Sequence, residues 1–173
     1  MNTRQPRRPG NVSPWHWDWQ LAAPLRDQHH GAFIADAVTA LGVFVEIQFS
    51  KISSAHIAVR ERHWGNMVWI FDAREAHAGG RLRFTPPTST APVRYAWSRP
   101  PQYLAQCHRP IFLDLGRSDQ FGLDLLYRLP DLYDRDSGLG NLYTAESVRG
   151  WMRYGTELTP WYSSTNEQRG QAA

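Results

Sequence analysis

The chain has 173 residues, of which 42% are hydrophobic and 20% charged, an ordinary globular balance with enough apolar material for one core. Nineteen Lys and Arg against 16 Asp and Glu leave a formal charge of +3, which permits a polyanionic partner without demanding one. One cysteine excludes a disulfide scaffold and any multi-cysteine zinc site, and eight tryptophans argue against a disordered chain. No run approaches the roughly 18 apolar residues of a membrane span and no export signal stands at the start, so a cytoplasmic, reducing compartment with no membrane partner is expected.

Residues 1–13 and 163–173 read as mobile tails around a single domain over residues 14–162. Ser13 followed by Pro14 offers an N-cap and a proline at the first helical position, and Trp15, Trp19, Ala22 and Ala23 keep helical spacing, so a short helix ending near Pro24 is expected. Residues 32–38 and 43–49 read as two antiparallel strands of a hairpin. Ser53 or Ser54 then caps a helix carrying Ile57, Arg60, Glu61 and Trp64, closed by Gly65 and Asn66. Residues 67–71 are almost wholly apolar, as in a strand buried on both faces. Beyond Asp72 the pattern is less regular: a second hairpin over 81–85 and 93–98, a short apolar run at 110–115, and helices over 119–129 and 144–154. This order implies an α/β or α+β protein, a central sheet with helices against it.

Asp36 and Glu46 sit in strands that otherwise want burial, where a carboxylate must be paired, hydrogen-bonded or bound to a cation. Strand alternation puts Glu46, Gln48 and Ser50 on one face and Val45, Ile47 and Phe49 on the other. With Asp36 beside Glu46 across the hairpin, the two carboxylates and the carbonyl of Ile47 make an oxygen-only site of the kind Mg²⁺ or Mn²⁺ prefers. Gln48 then stands next to the metal, placed to hydrogen-bond a water or a phosphate oxygen.

An acid on one strand and an acid-x-Lys on the next resembles the core of PD-(D/E)XK nucleases, with Gln48 in the lysine position. Five blocks extend the likeness to the competence protein CoiA-like nuclease family: Trp15-His16-Trp17-Asp18-Trp19, Ala35-Asp36-Ala37-Val38, Glu46-Ile47-Gln48-Phe49-Ser50-Lys51-Ile52, Arg60, and Val68-Trp69-Ile70-Phe71-Asp72. The resemblance covers residues 14–72. It implies a restriction-endonuclease-like mixed β-sheet flanked by helices, a Mg²⁺- or Mn²⁺-dependent hydrolysis of DNA phosphodiesters, and a role in handling incoming or mobile DNA. Two features depart from the family: Phe33 and Ile34 replace a usual His-Arg pair, and Asp27 stands where a Glu is usual. Asp27 is thereby the candidate third acid, and His30 the candidate substitute for the missing histidine.

Gln48 orients a water but supplies no charge. Arg60 is the better candidate for a phosphate contact, since guanidinium grips phosphate bidentately, with a salt bridge to Glu61 or another nearby acid as its alternative. Lys51, the one lysine of the chain, falls by alternation on the face opposite Glu46. The tryptophans at 15–19 are expected in the core, with His16 a structural residue or a neighbour of the site. Cys107 before His108 reads as a buried thiol, and Asp131, Asp134 and Asp136 as a solvated turn. Two alternatives to the nuclease stand: a catalytically impaired nuclease-fold module that binds nucleic acid or a protein partner, and a structural module whose polar stripe is a buried hydrogen-bond network. Strandedness, DNA against RNA, and homo-oligomer formation are open from the sequence.

Overall fold

The structure is a computed structural model that describes residues 8–85, 92–119, 121–130 and 136–161. Within it the chain runs α1 (Pro14–Gln20), β1 (Leu25–His30), β2 (Phe33–Val38), β3 (Phe44–Gln48), α2 (Ser54–Trp64), β4 (Met67–Asp72), α3 (Arg74–Ala78), β5 (Leu82–Phe84), β6 (Val93–Trp97), a 3-10 turn (Gln102–Gln106), β7 (Ile111–Ser118), β8 (Leu123–Arg128), β9 (Ser137–Thr144) and α4 (Ala145–Tyr154). Among the described residues the strands form one nine-stranded mixed sheet in the order β1-β2-β3-β4-β7-β8-β9-β6-β5. β3, β4 and β7 are parallel neighbours and every other pairing is antiparallel. The α/β architecture expected from the sequence is therefore present.

Local chemistry accounts for the helices. Ser13 caps α1 by accepting from the His16 N–H, with Pro14 at the first position. Ser53 caps α2 in the same way through His56, and Gly65, at φ 64°, ends it by returning its N–H to Glu61. α2 is the crossover between the parallel strands β3 and β4, which cannot be joined by a tight turn. Among the described residues no helix is long and apolar enough to cross a membrane.

The sheet is covered on both faces. Val45 and Ile47 of β3 and Val68 and Ile70 of β4 pack with Trp15 and Trp19 of α1 and Val148 and Met152 of α4. On the other face Trp69 and Phe71 of β4 meet Ile57 and Trp64 of α2 and Leu104 of the 3-10 turn. β4 is buried on both sides, as its apolar run predicts.

Several expectations need correction. A strand precedes the expected hairpin: residues 25–30, polar and adjacent to a proline, pair antiparallel with β2 as the sheet edge. The helix expected over 119–129 is not present among its described residues; after a turn at Gly122, residues 123–128 pair with β7 and β9. Residues 137–144 form a strand despite Gly138 and Gly140, and α3 was not anticipated. The hairpin over 81–85 and 93–98 is present as β5 and β6, and α4 occupies nearly the span expected of it. Most of the expected tails, residues 1–7 and 163–173, lie outside the described residues, as do Asp131 and Asp134.

Candidate metal and nucleic-acid site

The β2–β3 ladder consists of only two pairs, Ala37 with Val45 and Val38 with Phe44. Continued by one step, that register sets Asp36 opposite Glu46; the register between β1 and β2 likewise sets Asp27 opposite Asp36. The three acids thus occupy one row across three strands. Where the ladder stops, a side chain takes over the work of the backbone: Asp36 Oδ2 accepts the Ile47 N–H at 2.8 Å. Its Oδ1 faces His16 Nε2 of α1 at 3.3 Å.

Glu46 points toward α2 and is 2% exposed. Its Oε1 accepts from the Trp64 indole at 2.7 Å and its Oε2 forms an ion pair with Arg60. Burial pushes its carboxyl up to about 7 and the charge of Asp36 adds to the rise, against the opposing pull of Arg60 and the hydrogen bonds from Arg60 and Trp64. The charge of Asp36 therefore opposes ionisation of Glu46, an opposition that a nearby cation would relieve.

Gln20, 2% exposed on α1, links the row from behind: its Nε2 donates to Asp27 Oδ1 at 3.0 Å and to the Asp36 carbonyl at 3.1 Å. Its Oε1 is buried without a donor among the described residues. Asp27 adopts φ 48°, outside strand geometry. Among the described residues no three His, Cys, Asp or Glu side chains converge in a metal-holding group, so Asp27 is in the row but does not close a three-acid cluster with Asp36 and Glu46. Asp36, Glu46 and the Ile47 carbonyl offer oxygen donors only, the kind a hydrated divalent cation takes, and each carboxylate oxygen keeps a second lone pair beside the bonds described.

Other expected site residues fall variously. Gln48 donates to the Ser50 carbonyl at 2.9 Å and to its hydroxyl at 3.2 Å, at the exposed end of β3. Arg60 takes the salt-bridge alternative, with Glu46 rather than Glu61 as partner. Glu61 is instead buried, accepting from Trp69 Nε1 and from the backbone N–H groups of His108 and Arg109. His30 packs its ring edge-on against Phe44 and Trp64. His16 reaches Asp36. Lys51 is not confined to the face opposite Glu46, because β3 ends at Gln48 and alternation lapses there; it lines one cavity with Gln48 and Arg60. His16 and Gln20, four apart on α1, share the face that meets Asp36, a spacing present in the sequence but overshadowed by the tryptophans around it.

A cavity of about 690 Å³ lies elsewhere, between α1, the start of α4 and the β7–β8 bulge. Its Arg74 is held by Asp72, and its Arg149 lies over the Trp19 ring while donating to the Asp18 carbonyl. Comparison with known proteins finds no matching family model, no matching curated protein and no matching solved structure.

Proposed function

We propose that this chain is a metal-dependent nuclease of the PD-(D/E)XK type acting on DNA, related to the CoiA-like family and built on a restriction-endonuclease-like sheet. The observation that carries the reading is the opening between β2 and β3, where Asp36 leaves its ladder position to hold the Ile47 N–H and lies next to the buried Glu46. The element order helix, three antiparallel strands, helix, parallel strand supports the same assignment.

Asp36, Glu46 and the Ile47 carbonyl would hold the divalent cation, which when bound acidifies a water and neutralises phosphate charge. The protein's own contribution is positioning. Trp64 and Arg60 fix the Glu46 carboxylate, and His16 and the Ile47 N–H fix that of Asp36. Gln48, at the exposed strand end, offers an amide that orients a water or a phosphate oxygen.

A second reading is favoured by one observation: both Glu46 oxygens already have partners, and the ion pair with Arg60 competes with a cation. On it the chain is a nuclease-fold module that binds nucleic acid without cutting. The deciding experiment incubates linear duplex, single-stranded and supercoiled DNA with Mg²⁺ or Mn²⁺, comparing the wild type with Asp36→Asn and with the Asp36→Ala, Glu46→Ala pair. Metal-dependent cutting, lost by at least about a hundredfold in Asp36→Asn, is expected. Binding without cutting in all three proteins would establish the second reading instead.

A further inference from the structure

Next to the Asp36–Glu46 pair, a cavity of about 390 Å³ is lined by Gln48, Lys51, His56 and Arg60 along with apolar and hydroxyl side chains. A second cavity, of about 560 Å³, shares Lys51 and Ile52 with it and is lined further by Gln102, Tyr103 and Gln106. Among the described residues no carboxylate lines either cavity. Arg60 of the first is paired with Glu46 from outside the cavity, while among the described residues no carboxylate pairs with Lys51. The first turn of α2, which borders this cavity, also carries no acidic residue.

The two cavities differ in chemistry. The first holds the Lys51 ammonium together with His56 and suits a phosphate. The second offers two side-chain amides, each both donor and acceptor, beside a phenol ring whose other neighbour is Phe71, 5.5 Å away between centroids. Amides and an aromatic ring are the groups that read and stack an exposed base. A base within an intact duplex is stacked and paired and cannot enter such a recess.

We propose that these adjoining cavities seat one unpaired nucleotide of a DNA strand flanking the candidate site, its phosphate at Lys51 and His56 and its base against Tyr103 between Gln102 and Gln106. This rests on the nuclease-type reading of the neighbouring acids and adds to it a preference for single-stranded or frayed DNA. Lys51 and Gln106 are positioned to bind, with Gln48 marking the side on which the strand leaves toward Asp36.

The test measures anisotropy of a short fluorescein-labelled single strand, and of the blunt duplex of the same sequence, in EDTA so that binding is read without cutting. The wild type is expected to bind the single strand about tenfold more tightly than the duplex. Lys51→Gln should weaken single-strand binding about fivefold and lower its log–log salt slope by about 0.7, the loss of one phosphate contact. Gln106→Ala should weaken binding of the intact strand but not of one with abasic positions. Equal affinity for duplex and single strand, or both variants within about twofold of the wild type, overturns the proposal. A parallel digestion in Mg²⁺ separates the two readings. Cutting with KM unchanged in both variants removes the nucleotide seat and keeps the nuclease. Lys51-dependent binding with no cutting keeps the seat and removes the nuclease.

Discussion

Glu46 shows how one residue couples stability to the candidate chemistry. Its carboxyl titrates near 7 in the folded protein against an ordinary value of 4.5, chiefly because burial disfavours the charge and Asp36 opposes it. A raised acid means the folded state binds more protons than the unfolded one between these two values. Stability therefore falls as pH rises from about 4.5 to about 7 and is level above, with this residue contributing up to roughly 3 kcal/mol over the window. Glu46→Gln keeps the shape and an acceptor for Trp64 but cannot ionise. Urea unfolding in chelator should show the variant at its greatest disadvantage at pH 5 and gaining on the wild type by pH 8; a stability difference independent of pH would refute the assignment. Asp36 and Glu46 were legible in the sequence because a carboxylate stands out in an apolar strand. The partners that hold them, His16, Gln20, Arg60 and Trp64, come from helices whose facing no strand pattern specifies.

At the scale of elements, α1 is docked by a buried acid that the sequence reading did not single out. Asp114 on β7 is 6% exposed, and its Oδ2 accepts from the indoles of Trp15 at 2.7 Å and Trp19 at 2.8 Å, while Oδ1 takes the Gly116 N–H at 2.8 Å. The expected core role of these tryptophans is correct, and their polar ends explain why an acid is tolerated beneath them. Asp114→Ala leaves three donors without this acceptor and should destabilise by about 2–4 kcal/mol in denaturant titration; a loss below about 1 kcal/mol would mean that α1 is held by apolar contact alone. The same helix carries His16 to Asp36, so the anchor and the site are opposite sides of one element. Element type failed to be legible at residues 119–129, where Leu123, Leu125, Leu126 and Leu129 fit helical spacing as readily as a strand. Antiparallel pairing with β7 on one side and β9 on the other decides for the strand.

On the scale of the whole molecule, the buried thiol reports on opening. Cys107 is 9% exposed, and burial, with a further push from Glu61, drives its thiol up to about 12. His108 is its neighbour in sequence but directs its N–H to Glu61, while the Cys107 thiol faces the Tyr103 carbonyl at 3.9 Å. At pH 8 native protein should react with a thiol-specific disulfide reagent on the order of a thousandfold more slowly than denatured protein, since thiolate is the reactive form. A comparable native rate would place Cys107 in an open segment. The sequence by itself determined the hairpin and its two acids, the caps of α1 and α2, the doubly buried β4 and the α/β class, because alternation, capping and apolar runs are local signals carried within a few residues. Only the tertiary structure decided that Asp36 leaves its ladder for the Ile47 N–H, that Arg60 crosses to Glu46, and that Lys51 and Tyr103 line one cavity. Those relations join residues on different elements, and it is sheet order and helix docking that bring them together.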